Sequence, residues 1–432
     1  MTTPARAPSA TQTLRLLCGF AKTRQPASWS EHLAEHGPLP SGRRRRGGDP
    51  RLLELVDKSG LTGRGGAGFP TGRKLRTVAG SGRAAVVVAN GMEGEPAAQK
   101  DALLLAVAPH LVLDGIELAA RAVDANHAYV AVHRGSPASA VLRAAVAVRP
   151  EPPMPVTIAE LPAHYVASEE SALVHWLNGG AAKPTFVPPR PFERGVGGRA
   201  TLVNNVETLA HLALIARHGS EWFRQVGDVG EPGTMLVTIC GAVRHPGVVE
   251  VATGTAVGEV LRLAGGASAA LQAVLVGGYF GTWMDAELAL SLPLTQAGLR
   301  AVGGALGAGI LIALPDSACG IAETAHVLGY LAGQSANQCG PCVNGLPAIA
   351  GALTDLARGS WSPARRGDLD RWLGLVPGRG ACRHPDGAVR LAVSALQVFA
   401  ADVHRHEASR PCAGALVPPA LPVGAPVSGS WR

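Results

Sequence analysis

The sequence predicts a mixed α/β protein in three parts: a Rossmann-like α/β domain, a small β-grasp domain of the ubiquitin-like kind, and a C-terminal helical bundle. Three observations lead to this prediction. Short apolar runs alternate with helical patterns over residues 51–225, which is typical of a sheet covered by helices. A strand–strand–helix–strand order follows between residues 235 and 276. After residue 320, apolar residues recur at helical spacing.

The first domain is predicted over residues 51–228, after an N-terminal extension of residues 1–50. Its central strand is the apolar run 84–90, and a long apolar helix is predicted over 101–123. A later helix over 169–178 ends at two glycines, where a C-cap belongs. Further strands are predicted at residues 128–132 and 156–159.

The second domain is predicted over residues 229–318. Two strand signals flank a His-Pro-Gly turn, and a helix that ends at two glycines precedes a third strand. This order in so short a segment is typical of a β-grasp domain. The predicted strands cover 235–240, 248–251 and 272–276, and the predicted helix covers 257–264.

The third part is predicted as a helical bundle over residues 319–408. Three stretches each place their apolar residues on one helix face. The faces are formed by Ile321, Ala325, Leu328 and Leu331, by Leu346, Ile349, Leu353 and Leu356, and by Val389, Val393, Leu396, Ala400 and Val403. The remaining residues, 409–432, are rich in Pro, Ala and Gly, and we expect a disordered tail.

Composition and charge narrow the class of protein. The chain has 432 residues, 47% of them hydrophobic, which is enough for about two to four domain cores. The net charge is +7, and the densest basic run is Arg43–Arg46, between Pro40 and Pro50. No aromatic residues interleave with this run, so it indicates a solvated loop or a contact with an acidic partner rather than nucleic-acid binding.

Cysteine usage and hydropathy indicate the compartment. The sequence has seven cysteines, shows no cleavable signal, and contains no uninterrupted apolar run of about 18 residues that would span a membrane. The most apolar stretch, residues 103–123, carries four polar or charged residues. We therefore expect a cytoplasmic protein in a reducing compartment. There, clustered cysteines are metal ligands more often than disulfides.

A glycine-rich loop, Gly63-Arg64-Gly65-Gly66-Ala67-Gly68, is the first candidate binding element. Without Cβ atoms, its backbone N–H groups can converge on an anion. Arg64 and Lys74 add positive charge, and Phe69 offers a flat face for a ring. The loop lacks the spaced glycine fingerprint and distal acid of a dinucleotide site, so it predicts a mononucleotide; a simple turn is the alternative.

Polar side chains at strand ends and helix starts form the second candidate element. In α/β proteins, ligands bind at the carboxyl ends of the strands, so these groups can line one polar cavity. Helix capping and turn formation explain Glu169 and Asn205 equally well. The side chains concerned are Asn90, Glu93, Glu95, Tyr165, Glu169, Glu170, Asn204 and Asn205.

Cysteines form the third candidate element. Cys339 and Cys342 make a Cys-x-x-Cys pair, and Cys382 follows about forty residues later. A thiol pair that flanks Gly-Pro packs poorly in a core, so the spacing predicts metal ligands. The pair lies at the start of a predicted helix, whose positive end favours thiolates.

The order of these motifs resembles one protein family. Five motifs occur in sequence: Gly-Arg-Gly-Gly-Ala-Gly-Phe-Pro-Thr-Gly, Asn-x-x-Glu-Gly-Glu-Pro, Tyr-Val-x-x-Glu-Glu-Ser-Ala-Leu, Val-Asn-Asn-Val-Glu-Thr-Leu and Cys-x-x-Cys. Together they resemble the flavin-binding NADH dehydrogenase subunit of respiratory complex I and its relatives in soluble hydrogenases and formate dehydrogenases. The resemblance covers residues 63–403. It implies a Rossmann-like flavin domain, an SLBB-type β-grasp module and an iron–sulfur bundle.

The resemblance implies FMN and a 4Fe–4S cluster as cofactors and NADH as the substrate. In that family NADH stacks on FMN, a hydride passes to the flavin, and single electrons leave through the cluster. Glu95 would face the nicotinamide carboxamide, and Phe69 would stack against the adenine. The residues implied to contact FMN are Gly63, Arg64, Gly65, Gly66 and Lys74. The residues implied to line the flavin site are Asn90, Glu93, Tyr165, Glu169, Glu170, Asn204 and Asn205.

Several positions depart from the family pattern. Met92 stands in place of an Asp, and Ser168 in place of a Gly. The family's Lys-Trp-Ser-Phe is replaced at residues 74–77, which removes an aromatic that would grip adenine. Its Leu-Lys-Pro-Pro-Phe is replaced at residues 186–190, which removes a lysine and a second aromatic, with Arg190 as the candidate substitute for the cation. The flavin site is therefore better retained than the NADH site.

The family's first cluster ligand is also changed. Ala336 occupies that position, so three thiols remain for a cubane that takes four ligands. Cys412 is the predicted fourth ligand and Cys319 the alternative; an open position would give a 3Fe–4S cluster. A zinc site made by Cys339, Cys342, Cys382 and His384 is the rival interpretation.

The resemblance implies an oxidoreductase, an electron-transfer flavoprotein that oxidises NADH. The sequence leaves two alternatives open: a flavin-binding docking or scaffold subunit, and a flavoprotein fed by a donor such as ferredoxin. The implied partners are other electron-transfer subunits or a ferredoxin. Nucleic acid is not expected, and any membrane association would be peripheral, through a complex.

Overall fold

The structure is a computed structural model that describes residues 14–42, 45–81, 84–150, 154–424 and 430–432. It confirms the predicted fold class. The strands are β1 (Ala85–Asn90), β2 (Ala125–His133), β3 (Val156–Leu161), β4 (Thr201–Asn205), β5 (Thr234–Gly241), β6 (Gly247–Ala252), β7 (Leu271–Val276), β8 (Thr282–Asp285) and β9 (Ile310–Pro315). The helices are α1 (Cys18–Thr23), α2 (Trp29–His36), α3 (Pro50–Ser59), α4 (Thr71–Ala79), α5 (Lys100–Val107), α6 (Pro109–Val123), α7 (Pro137–Ala147), α8 (Glu170–Leu177), α9 (Val206–His218), α10 (Ser220–Arg224), α11 (Val257–Leu263), α12 (Ala286–Ser291), α13 (Gln296–Arg300), α14 (Gly320–Gly333), α15 (Leu346–Ala357), α16 (Pro363–Leu375), α17 (His384–Val398) and α18 (Ala400–Glu407).

The first sheet is parallel, with the strand order β3-β2-β1-β4. The chain runs from β1 to β2 and β3 on one side and returns as β4 on the other, so the order reverses between β1 and β4. Because all four strands are parallel, their carboxyl ends meet at one edge, and Asn90 lies beside Asn205. Ligands of open α/β sheets bind at such a switch point.

The central strand β1 is apolar throughout because both faces of the sheet are covered. Val87 and Ala89 belong to the larger core, which includes α6 and α9, while Val86 and Val88 belong to the core on the other face. A strand buried on both faces has a continuous apolar sequence instead of an alternating one. This explains why the run at 84–90 was readable as a strand.

The second sheet has the order β6-β5-β9-β7-β8, with β5 and β9 parallel at its centre. The predicted β5, β6, α11 and β7 are confirmed. The sequence analysis missed β8 and β9, although the apolar run of β9 is typical of a buried strand. The bundle packs on this sheet through Trp283 of β8, whose ring N–H donates to Thr324 Oγ1 at 2.9 Å and whose ring meets Phe399 edge-on.

The tail is ordered over its described part, so the prediction of disorder for residues 409–432 is wrong there. The carboxylate of Glu323 on α14 accepts hydrogen bonds from two tail amides at 2.8 and 3.0 Å, and Leu421 is buried. Near the end of the chain, Trp431 stacks on His164 with ring centroids 3.7 Å apart. Apart from one short 3₁₀ helix, Ala413–Leu416, the described tail follows the surface without helices or strands.

Some predictions lie partly outside the described residues. These include the start of the N-terminal extension, residues 43–44 of the basic run and residues 425–429 of the tail. The domain boundaries given above stay a prediction. Within the described residues, no single helix is long and apolar enough to cross a membrane; α5 and α6 meet that criterion only as a pair bent by 97°.

Candidate functional site

A cavity of about 660 Å³ opens at the carboxyl edge of the parallel sheet, between the ends of β1 and β4. Its volume falls in the range of cofactor sites, roughly 300–1,000 Å³. The glycine-rich loop, the segment after β1, the start of α8 and the end of β4 all meet there. From the predicted site, it is lined by Gly63, Arg64, Gly65, Gly66, Phe69, Lys74, Asn90, Glu93, Glu95, Tyr165, Glu169, Glu170, Asn204 and Asn205.

The glycine-rich loop bends back on itself in front of α4. The N–H of Gly63 donates to the carbonyl of Phe69 at 2.9 Å, which closes the base of the loop. Gly66 has φ +114°, a conformation that residues with a Cβ rarely adopt. In the described part of the chain, the N–H groups of Gly65 and Gly66 have no acceptor. They are therefore available to an anion such as a phosphate.

Arg64 directs its charge away from the centre of the cavity. Its guanidinium donates to Thr62 Oγ1 at 2.8 Å and to the carbonyls of Pro232 and Thr234 at 3.3 and 3.1 Å. The side chain is buried, so it braces the loop against the start of β5. The sequence predicted an FMN contact for Arg64; in this arrangement the guanidinium is held by these three oxygens, and the backbone N–H of Arg64 donates to Thr208 Oγ1 at 2.9 Å.

Lys74 is placed at the cavity wall by the first turns of α4. Its ammonium donates to the carbonyl of Val203 at 2.6 Å and lies 3.4 Å from the carboxylate of Glu170. An ammonium has three N–H donors, so Lys74 keeps donors for a ligand in the cavity, whereas the guanidinium of Arg64 is turned away.

The three asparagines at the strand ends differ in their remaining hydrogen-bonding capacity. Asn90 Nδ2 donates to the carbonyl of Ser168 at 3.0 Å, and Asn205 Nδ2 donates to Asp101 at 2.6 Å. Asn204 Nδ2 is buried and has no partner among the described residues. Buried donors are almost always satisfied, so this orphaned amide indicates that a ligand with an acceptor belongs beside it.

Two of the predicted carboxylates cap helices. Glu93 accepts hydrogen bonds from two N–H groups in the first turn of α5, both at 3.0 Å. Glu169 accepts from Ser171 and Ala172 at the start of α8, at 2.8 and 3.2 Å. Burial raises the pKa of Glu93 to about 7 and also raises that of Glu169. The capping alternative considered for Glu169 is thus what the structure shows, and it extends to Glu93.

The sequence analysis missed a buried charge network in the cavity wall. Lys100 is buried at the start of α5, with its ammonium 2.7 Å from Asp101 and 2.8 Å from Glu207. The other oxygen of Glu207 accepts from the backbone N–H of Leu236 on β5 at 2.9 Å. This network ties the first sheet to the second below the cavity. A charged pair opening an otherwise apolar helix was the signal that could have revealed it.

Glu95 is a buried carboxyl group in the cavity wall. Its Oε1 accepts from the N–H of Tyr279 at 2.9 Å, and the hydroxyl of Tyr165 lies 3.5 Å from Oε2. Burial raises the pKa of Glu95 to about 8, against the opposing effect of these hydrogen bonds. A Cβ on Gly278 would collide with the Glu95 oxygens, so this glycine makes room for the carboxyl group.

The raised pKa of Glu95 predicts a pH-dependent stability difference. Between about pH 4.5 and 8, the unfolded chain has released this proton while the folded chain keeps it. The free energy of unfolding therefore falls as the pH rises, by about 1.4 kcal/mol per pH unit from this group. The variant Glu95→Gln lacks this contribution. Its free energy of unfolding, relative to that of the cofactor-free wild type, should therefore rise by about 3–4 kcal/mol between pH 5 and pH 8.

Urea unfolding of both cofactor-free proteins at several pH values measures this difference. A buried carboxyl group that does not interact with Glu95, such as Glu250, cancels in the comparison because both proteins carry it. A stability difference that stays constant with pH would show that the pKa of Glu95 is not raised.

The mouth of the cavity carries fewer aromatic groups than the family pattern. Phe69 is 45% exposed there, with the guanidinium of Arg73 5.7 Å from its ring centre. Arg190, the candidate substitute for the lost cation, is not among the described lining residues; Arg390 of α17 lines the cavity instead. Arg390 is held by a hydrogen bond to the carbonyl of Phe280 at 3.1 Å.

The three predicted thiols line one small cavity next to the first. Cys339 and Cys342 come from the turn before α15, and Cys382 comes from the loop before α17. The methyl group of Ala336 lines the same cavity, at the position where the family pattern has a cysteine. The donor set suits soft metal chemistry, and binding a cluster requires these two loops to open around it.

Cys412 lies elsewhere, so its prediction as the fourth ligand is wrong. Its sulfur lies within 4.8 Å of the ligand atoms of Cys319 and His406. Cys319 caps the N-terminus of α14, whereas Cys339 follows the C-terminus of that 14-residue helix, about 20 Å away. The same distance excludes Cys319, the alternative fourth ligand.

The rival zinc site is not formed. Tetrahedral zinc with bonds of about 2.3 Å to sulfur holds its ligand atoms about 3.8 Å apart. Cys339, Cys342, Cys382 and His384 do not form such a group within the described residues. A cluster spreads its ligands more widely, because each ligand binds a different iron.

The two cavities share a wall. Val166, Cys382 and His384 line both the large cavity at the sheet edge and the small cavity with the thiols. A group bound in one cavity is therefore separated from a group bound in the other by little more than these three side chains. His384 was considered only as a zinc ligand in the sequence analysis.

Comparison with known proteins agrees with this arrangement. The family model for the Nuo51 FMN-binding domain matches residues 56–214, that for the SLBB domain 236–276, and that for the NADH-ubiquinone oxidoreductase-F iron-sulfur binding region 322–406. An NADH-quinone oxidoreductase subunit of Salmonella typhimurium is 32% identical, over 87% of this chain and 89% of that protein. The corresponding subunit of Streptomyces coelicolor is 31% identical, over 84% of each chain. The crystal structure of an NAD+-reducing [NiFe]-hydrogenase in the H2-reduced state superimposes with a TM-score of 0.78, at 29% identity, over 93% of this chain and 68% of that one.

Proposed function

The chain belongs to the Nuo51-type family of NADH-quinone oxidoreductase subunits, and from this premise we propose that it is an electron-transfer flavoprotein that oxidises NADH. FMN would occupy the large cavity at the sheet edge, and an iron–sulfur cluster would be held by Cys339, Cys342 and Cys382. The shared wall of the two cavities is the observation that carries the proposal. When bound, FMN would supply hydride acceptance from NADH and one-electron release to a neighbouring cluster.

The residues of the large cavity divide the work of holding FMN. The free N–H groups of Gly65 and Gly66 would receive the phosphate, and the ammonium of Lys74 lines the same cavity. The orphaned amide of Asn204 would donate to an acceptor of the ring system. Asn90 is already held by Ser168, so it would shape the cavity wall.

Glu95 and Phe69 would serve the nicotinamide nucleotide. A buried carboxyl group whose pKa is about 8 carries its proton at neutral pH and can donate a hydrogen bond to a carboxamide oxygen. Phe69, at the exposed mouth, would stack against the adenine. Tyr165 and the N–H of Tyr279 orient the Glu95 carboxyl group.

Changing Glu95 to Gln should separate NADH turnover from flavin content. The amide keeps the acceptor for the N–H of Tyr279, so the flavin cavity should stay intact. The amide N–H replaces the carboxyl O–H as a weaker donor to the nicotinamide, so about 1 kcal/mol should be lost and NADH-driven flavin reduction should fall about 5-fold. Stopped-flow absorbance measures the rate. A loss of bound flavin as large as the loss of reduction rate would show that Glu95 maintains the structure of the cavity and does not bind NADH.

Cofactor identity and the response to NADH test the proposal directly. Cofactor released from the purified protein by heat should co-migrate with FMN, and anaerobic addition of NADH should bleach the flavin absorbance. FAD in place of FMN would contradict the mononucleotide site. A colourless protein would favour the docking or scaffold alternative.

A second candidate function is a flavoprotein reduced by another donor, such as a reduced ferredoxin. The observation that favours it is the mouth of the cavity, where Phe69 stands without the second aromatic of the family pattern and Arg190 is absent from the described lining. This function would be established if the protein binds FMN and its flavin absorbance is bleached by reduced ferredoxin but not by NADH.

The proposed partners are other electron-transfer subunits or a ferredoxin, in line with relatives that are named as subunits. The surface next to the thiol loops carries Val343, 46% exposed, and Leu375, 45% exposed. Peripheral association with a membrane through such a complex, and the cytoplasmic location expected from cysteine usage, stay predictions.

A further inference from the structure

His384 lines the thiol cavity and carries a ring nitrogen that has no partner among the described residues. Its Nε2 lies 2.8 Å from the carbonyl of Leu331, and a carbonyl only accepts, so Nε2 carries the hydrogen. In the neutral ring Nδ1 then holds the lone pair. Nδ1 has no hydrogen-bond partner among the described residues, and it cannot bond to water freely because His384 is only 2% exposed. An orphaned acceptor in so buried a ring calls for an explanation.

The same cavity lacks one donor. A 4Fe–4S cluster usually takes four protein ligands, and Cys339, Cys342 and Cys382 supply three. At the family's first ligand position this chain has the methyl group of Ala336, which cannot ligate. His384 lines the cavity together with these four residues.

We propose that the imidazole of His384 is the fourth ligand of the cluster, through Nδ1. This inference rests on the proposed function, because it requires that the thiol cavity holds an iron–sulfur cluster. The site would then be a three-thiolate, one-imidazole site, and no cysteine from the tail or from the head of α14 would be needed.

Other side chains around the cavity are already committed. The amide nitrogen of Gln338 donates to the carbonyl of Pro184 at 2.9 Å. The ammonium of Lys183 donates to the carbonyl of Ala336 at 2.8 Å, and an ammonium offers no lone pair. Of the described side chains that line the cavity, His384 combines a metal-binding donor atom with the absence of a partner.

The surroundings hold the His384 ring in place as a ligand requires. Metal-bound histidines almost always donate their other N–H to a carbonyl or carboxylate, and Leu331 provides that acceptor. The rings of Tyr165 and Phe280 meet the imidazole edge-on, with centroids 5.6 and 5.5 Å away. The ring therefore cannot turn freely.

An imidazole ligand has a functional consequence. It is neutral where a thiolate is negative, so the reduced cluster carries less charge and forms more readily; replacement of thiolates by histidines raises the potential of Rieske centres. His384 also lines the flavin cavity, so the ligand that raises the potential stands on the electron path. We expect a higher midpoint potential than for an all-cysteine site.

Pulsed electron paramagnetic resonance on holoprotein labelled with ¹⁵N-histidine and reduced with dithionite tests the ligand in the wild type itself. A strong ¹⁵N hyperfine coupling to the cluster is expected. It should disappear in His384→Ala and persist in His406→Ala, which removes a fully buried histidine at the other end of the bundle. A cluster without nitrogen coupling, or with coupling that survives His384→Ala, would overturn the proposal.

Iron content and potential give a second readout. The iron content should be about four irons per chain in the wild type and about three in His384→Ala. His384→Cys, and the double variant Ala336→Cys with His384→Ala, should recover four irons at a lower midpoint potential than the wild type. If the wild-type protein held FMN but no iron, the proposed function would lose its cluster, and the His384 inference would fail with it. A four-iron cluster unaffected by His384→Ala would overturn the inference alone.

Discussion

Changing Cys382 to serine is expected to stop electron transfer out of the protein while NADH still bleaches the flavin. Cys382 lines the thiol cavity and the flavin cavity, so its loss removes a cluster ligand at the point where the two sites meet. Turnover with a one-electron acceptor should fall by more than about 100-fold, because even changes outside the ligand shell of a metal site cost 10–100-fold. Acceptor assays and anaerobic flavin bleaching measure the two steps separately.

Cys412→Ser is the matched control for this experiment. It makes the same chemical change at a thiol that lies with Cys319 and His406 at the far end of α14. Iron content and acceptor turnover should stay at wild-type values. A loss of iron in Cys412→Ser equal to that in Cys382→Ser would contradict the placement of the two thiols at opposite ends of the bundle.

Gly66→Val is expected to weaken FMN binding without unfolding the protein. At φ +114° a β-branched residue is strained by about 1–3 kcal/mol, so the loop should leave the conformation that presents its free N–H groups. The same free energy corresponds to about a 5- to 150-fold loss of FMN affinity. Fluorescence titration of the cofactor-free protein with FMN measures it.

Gly367→Val provides the comparison for this loop variant. Gly367 lies within α16, has no neighbour within 4 Å of an added Cβ, and is remote from the cavity lining. FMN affinity should be unchanged there. Equal affinities of wild type and Gly66→Val would show that the loop conformation does not present the phosphate site.

Much of the fold was readable from local pattern. The run of β1 is apolar on every residue because helices cover both faces of its sheet, and the helices of the bundle repeat apolar residues on one face. The short strand β8 was missed because pairing across a sheet leaves little local signal, whereas β9 was missed although its apolar run was readable. The tail was misread because the contacts that fix its far end are distant in sequence, such as that of Trp431 with His164.

The sequence by itself also determined most of the site. Glycines where the backbone must approach a ligand, amides at strand ends and a Cys-x-x-Cys pair are local features, since each depends on a few neighbouring residues. Parallel strands bring their carboxyl ends to one edge, so Asn90 and Asn205 were expected to lie together, and they do. The flavin cavity follows from these features and from the strand order.

Only the tertiary structure decided what each polar group does there. Glu93 and Glu169 cap helices, Arg64 turns toward β5, and Cys412 lies about a helix length from the other thiols. It also brought His384 beside three thiols that come from two separate loops. The physical reason is that hydrogen-bond partners and burial are set by residues far away in the chain. The residue types therefore establish which chemistry is available, and packing decides which groups remain free to perform it.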